Sequence, residues 1–75
     1  MKFIIKHEMK GRMRVRLSQK RMTYEQADIL QYYLLCNESV KLAKVYDRTC
    51  DAVINYTGDR EDVIRLLQEF HYQTV

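Results

Sequence analysis

The chain has 75 residues, room for one small domain and not two. Apolar residues make up 47% of it, which furnishes a core and excludes wholesale disorder, while no apolar run approaches the roughly 20 residues that span a bilayer. The net charge of +3 hides a division: residues 1–22 carry eight basic groups against Glu8 alone, whereas residues 23–75 carry five basic and nine acidic groups. A surface built from the first third is therefore suited to attract phosphates, anionic lipid headgroups or an acidic protein.

The opening run Phe3-Ile4-Ile5 ends at Lys6, too short for the apolar segment of a signal peptide. Cys36 and Cys50 are too few for a disulfide scaffold, so a reducing, cytoplasmic setting with two free thiols is expected. Arg12 to Leu17 alternates cation and apolar residue, the period of a strand with one buried and one wet face. Met13, Val15 and Leu17 are expected to point inward. Phe3 to Ile5 is assigned to the same strand or its lead-in, with Lys10-Gly11 as a bulge or kink in preference to a tight hairpin.

Thr23-Tyr24-Glu25-Gln26 fits a capping box, so a helix of about 13 residues is expected from Thr23. Ala27, Leu30 and Leu34 give it an apolar stripe that Ile29, Tyr33 and Cys36 widen, and Asn37-Glu38-Ser39 is the stop. Val40 to Tyr46 and Ala52 to Tyr56 are β-rich runs around the turn Asp47 to Asp51, hence antiparallel neighbours. Asp59 is placed to cap a second helix, in which Val63, Leu66, Leu67 and Phe70 share one face, with His71 as a charge near its carboxyl end. Tyr72 to Val75 is assigned a last strand. The expected fold is α+β, a ferredoxin-like βαββαβ sandwich: a four-stranded antiparallel sheet with both helices on one face and the other face open.

Arg12, Arg14 and Arg16 would form a row on that open face, with Lys44 and Tyr46 beside them. Guanidinium forks bind carboxylates and phosphates by two-point contacts, so the row suits an acidic surface or a polyanion, although a solvated face that keeps the sheet soluble would read the same way. His7, Met9 and Met13 with Met22 are weak candidates for a soft metal, but their spacing matches no strong site and Met13 alternates into the core, so no cofactor is expected. Cys36 is expected to be a buried thiol and Cys50 an inert exposed one. RNA-recognition modules stack bases on spaced aromatics in a comparable sheet, but Cys50 to Tyr56 offers one aromatic, and its phase is core-facing. There is no phosphate-binding glycine loop, no HExxH and no Ser-His-Asp set, so this chain is not expected to be an enzyme.

Val40 to Tyr56, two strand-like runs around a short turn, resembles the middle of heavy-metal-associated domains, with Cys50 where the family's turn usually has glycine, and Phe70-His71-Tyr72 is similar to their Phe-Gly-Tyr, with His71 in place of that glycine. Gly11-Arg12-Met13-Arg14-Val15-Arg16 is similar to a strand in degenerate copies at the N-termini of bacterial metal-transporting P-type ATPases. The resemblance covers about residues 10–75. It implies a single module, residues 1–75, of a larger cytosol-facing pump. Metal-binding members carry two cysteines in the loop that here reads Ser18 to Glu25, which has none; the resemblance puts the two ligand positions near Met22 and Glu25, a thioether beside a carboxylate and a poor pair for any one soft metal, and so implies a regulatory or docking domain without a conventional metal site. Its partner would be an acidic surface on other cytosolic domains of the same ATPase, or anionic headgroups nearby. A stand-alone polyanion- or RNA-binding module using the basic first strand is the alternative.

Overall fold

The structure is a computed structural model describing residues 1–72. Its elements are β1 (Phe3–Met9), β2 (Arg12–Leu17), α1 (Tyr24–Leu35), β3 (Val40–Tyr46), β4 (Asp51–Tyr56) and α2 (Arg60–Gln68). The strands form one antiparallel sheet in the order β1-β2-β4-β3. The class is α+β, with one sheet and two helices, but the chain order is ββαββα instead of βαββαβ. The edge place beside β2 is taken by β1, from the N-terminal side of the chain. Of the expected last strand, Tyr72 is not in a strand and residues 73–75 lie outside the described residues.

The hairpin is the main correction. Lys10-Gly11 is a two-residue loop, with Met9 paired to Arg12 and Phe3 to Leu17. Gly11 takes φ +80°, where a side chain is disfavoured, and a Cβ there would meet the Tyr56 carbonyl at 3.3 Å. The backbone close-packs there because Gly11 O accepts from Tyr56 N at 2.9 Å. Lys-Gly lacks the Asn-Gly or Asp-Gly signature of such loops, so tertiary pairing decides what the local pattern leaves ambiguous. β1 also carries an irregularity between Ile5 and His7 that resets its alternation.

The capping box forms as expected. Thr23 Oγ1 accepts from Gln26 N, and Gln26 Oε1 accepts from Thr23 N, each at 3.1 Å. Asn37 Oδ1 accepts from Ser39 N at 2.9 Å, a local turn that ends α1 and leads into β3. Asp59 stands at the N-cap of α2 but makes no side-chain cap hydrogen bond. At the other end, the Met1 ammonium donates to the carbonyls of Gln68 and Phe70, the capping place expected for His71.

Met13, Val15 and Leu17 of β2, Ala52, Ile54 and Tyr56 of β4, Ala27, Leu30 and Leu34 of α1, and Val63 and Leu67 of α2 bury in one cluster. Both helices thus cover the same sheet face. Full burial of each large apolar side chain contributes roughly 1.5–3 kcal/mol. The two thiols exchange their expected places. Cys36 follows the last turn of α1 and is exposed, while Cys50 is buried in the β3–β4 turn at φ +57°, the one non-glycine in the left-handed region among the described residues. That conformation directs the Cys50 carbonyl to Leu17 N at 2.8 Å, prolonging the β2–β4 pairing into the turn.

Candidate docking face on the open sheet

Alternation on β2 leaves Arg12, Arg14 and Arg16 exposed while the residues between them bury. Because β2 is an inner strand, this row runs through the interior of the sheet face opposite the helices. Cross-strand register then lays out three lines across all four strands. Ile4, Arg16, Asp51 and Tyr46 form the first line; His7, Arg14, Val53 and Lys44 the second; Met9, Arg12, Asn55 and Leu42 the third. Among the described residues no element covers this face.

Its charges are unevenly engaged. Asp51 lies between two arginines, its Oδ1 accepting from Arg16 Nε at 3.1 Å and its Oδ2 standing 3.9 Å from Arg14 Nε. The Asp51 side chain is only 7% exposed, against 45% for Arg16 and 51% for Arg14, so the carboxylate sits beneath the two long side chains. Burial pushes its pKa up, but the hydrogen bond and charge of Arg16, a hydrogen bond from Thr49 and the charge of Arg14 together outweigh it and leave the group below the ordinary carboxylate value. Arg12 makes no ion pair, and beside it the Oδ1 of Asn55 is buried without a hydrogen-bond partner among the described residues. Lys44 Nζ lies 5.6 Å from the centre of the Tyr46 ring, a cation–π distance.

Each edge of the face mixes apolar and polar groups, with His7 between Ile4 and Met9 on β1 and Lys44 between Leu42 and Tyr46 on β3. Ile4 and Met9 on β1 are 58% and 55% exposed, and Leu42 on β3 is 55% exposed. The outer edge of β3 is closed to further strand pairing where Val45 N donates to Gln31 Oε1 of α1 at 3.1 Å. The candidate residues Arg12, Arg14, Arg16, Lys44 and Tyr46 are therefore brought together on one surface. Asp51, Asn55, Ile4 and Leu42 belong to the same surface. Only the register reveals them, since nothing in their local sequence distinguishes them from core or turn residues.

The metal candidates are not brought together. His7 and Met9 stand on the open face of β1, while Met22 is buried in the core on the helix side and Glu25 is exposed in the first turn of α1. Among the described residues no group of three His, Cys, Asp or Glu side chains is placed to hold a metal ion. The aromatics do not gather on the sheet either. Tyr56 is buried, Tyr32 is exposed on α1, and Tyr33 and Tyr72 pack with Phe70 at ring distances of 4.7 and 4.9 Å. No described helix is long and apolar enough to cross a membrane. Comparison with protein-family models, with curated proteins and with solved structures finds no match for this chain.

Proposed function

We propose that the domain is a non-catalytic docking module whose open sheet face receives an acidic protein surface. The observation that carries this reading is the arginine row on an inner strand, exposed on a face whose three register lines carry four cations, Arg12, Arg14, Arg16 and Lys44, and one anion, Asp51. Such a face attracts carboxylates at long range and holds them by guanidinium forks at contact. Following its resemblance to the degenerate heavy-metal-associated modules, the domain belongs to a metal-transporting P-type ATPase on the cytosolic side. The acidic surface then belongs to another cytosolic domain of that pump, and the module regulates by docking, without carrying metal.

The face is about 14 Å across from β1 to β3, three strand spacings, so it offers less than the roughly 800 Å² per partner of a standard stable interface. The docking is therefore weak, reversible and salt-dependent. Its test uses Arg12 and Lys44, the two of these four cations that make no ion pair among the described residues. Arg12→Ser with Lys44→Ser is expected to keep a dispersed amide spectrum and to lose at least tenfold in affinity for an acidic polypeptide such as polyglutamate at low salt. Unchanged binding would refute the assigned face. In a pump carrying the module, the same pair is expected to alter transport rate or its regulation. Identical transport would refute the pump setting while leaving the docking face.

A further inference from the structure

Resting on that docking role, we infer that the occupant of the open face is an acidic amphipathic helix, and that Asp51 is an internal counter-ion which competes with it for the arginines. The layout that points to a helix is the order of chemistries across the sheet. A cationic centre on β2 is bordered on β1 by Ile4 and Met9 to either side of His7, and on β3 by Leu42 and Tyr46 to either side of Lys44, so apolar groups stand at both ends of each border. A helix with its side chains is about 10–12 Å wide, close to the roughly 14 Å between the outer strands, so one lying along the strands fits between the two borders with its flanks facing them.

The spacing along the strands agrees. Arg12 and Arg14 are two residues apart, about 6.8 Å on a strand, and carboxylates four residues apart on a helix are separated by about 6 Å along its axis. A helix with a stripe of Glu or Asp flanked on both sides by Leu-like residues thus meets guanidinium with carboxylate and apolar border with apolar side chain. A nucleic-acid strand would match the cations but leave Ile4, Met9 and Leu42 against a phosphate backbone. It would also find the ring of Tyr46 already beside Lys44.

Asp51 already occupies the position of one ligand carboxylate. It holds Arg16 at 3.1 Å and approaches Arg14 at 3.9 Å, so an incoming acidic group meets Arg12 and Lys44, which make no ion pair among the described residues, and must share Arg14 and Arg16. Removing this internal carboxylate frees two guanidinium groups for the partner.

The probes are three peptides of about 15 residues, the first two locked helical by a side-chain staple because free helices of that length are marginal in water. One carries a Glu stripe with Leu on both flanks, one has the same composition scrambled, and the third is polyglutamate of equal charge. Binding is read by fluorescence anisotropy at low and physiological salt. The striped peptide is expected to bind about tenfold more tightly than the scrambled one. Arg12→Ser is expected to weaken it about three- to tenfold, and Asp51→Asn to tighten it about threefold, whereas Asp28→Asn on the exposed side of α1 makes the same charge change without effect. Equal affinity for striped and scrambled peptides would overturn the helix assignment and leave the docking role standing. No binding by any acidic peptide at low salt would refute the docking role itself. Weaker binding by a folded Asp51→Asn would overturn the competition, and if that variant does not fold, striped against scrambled peptide on wild type and Arg12→Ser still decides the occupant. Tighter binding of a single-stranded RNA than of the striped peptide would also overturn the inference.

Discussion

Replacing Arg16 by serine isolates the one buried charge of the open face. The Asp51 carboxylate, 7% exposed, would lose its 3.1 Å hydrogen bond and retain Arg14 at 3.9 Å as its nearest cation. A hydrogen bond to a charged group contributes about 1.5–3 kcal/mol, and stripping a partner from a fully buried pair costs about 3–5 kcal/mol. Arg16 is 45% exposed, so solvent screens the pair and water can reach the vacated space; the expected loss is about 1.5–2 kcal/mol. A domain of this length has roughly 4–11 kcal/mol of stability in total, so the effect is large, amounting to a fall of about 6–16 °C in Tm. Urea unfolding of wild type, Arg16→Ser, Asp51→Asn and the double variant closes a cycle. The serine substitution is expected to cost less than about 0.5 kcal/mol once Asp51 is an amide. Equal costs in both backgrounds would refute the claim that Arg16 acts through Asp51.

The other expectations are simpler. Because Asp51 has a lowered pKa in the folded state, the stability it adds is present above its unfolded value near 3.9 and fades as pH falls through the lower folded value, so Asp51→Asn is expected to flatten the stability profile below about pH 4; an unchanged acid limb in equilibrium unfolding would contradict the ion pair. Gly11→Ala places a side chain at φ +80° against the Tyr56 carbonyl and is expected to cost about 1–2 kcal/mol in urea unfolding, whereas a neutral result would argue against the hairpin. Leu30→Ala, at a fully buried site of α1, is expected to cost about 2–5 kcal/mol. Cys36 is expected to react with a thiol reagent in the native state while Cys50 reacts only on unfolding, and equal rates would contradict the burial of the β3–β4 turn.

Much of the fold is legible in the sequence where a local pattern and the tertiary structure agree. The alternation of residues 12–17 marks both faces of β2, and the capping box at Thr23 marks the start of α1 to the residue. The hairpin was not legible, because Lys-Gly is a weak turn signal and Phe3-Ile4-Ile5 reads equally as a lead-in or as a separate strand. Its pairing with β2 fixes the sheet edge, and only long-range contact supplies that. The environments of the two cysteines are not legible for a related reason. Cys36 extends the apolar stripe of α1 in pattern but lies past the end of the helix and outside the core, and Cys50 occupies a left-handed turn position where glycine or asparagine is usual and where no local pattern signals burial.

The candidate site was legible as a list of cations but not as a surface. Arg12, Arg14 and Arg16 announce themselves by spacing, and Lys44 with Tyr46 by their phase on β3. That Asp51 lies beneath two of the arginines depends on the β2–β4 register, which no local pattern encodes. This changes how the face is to be perturbed: removing all three arginines would strand a buried carboxylate and confound binding with stability, whereas Arg12 makes no ion pair among the described residues and is the clean position to alter.

The most direct measurement is an amide-resolved NMR titration of the native domain with polyglutamate at low salt. The expected result is a set of saturable shifts at Arg12, Arg14, Val53, Asn55, Leu42 and Lys44, weakened by added salt and by Arg12→Ser. Shifts confined to α1 and α2, or a spectrum that does not change at all, would contradict a docking face on the open sheet.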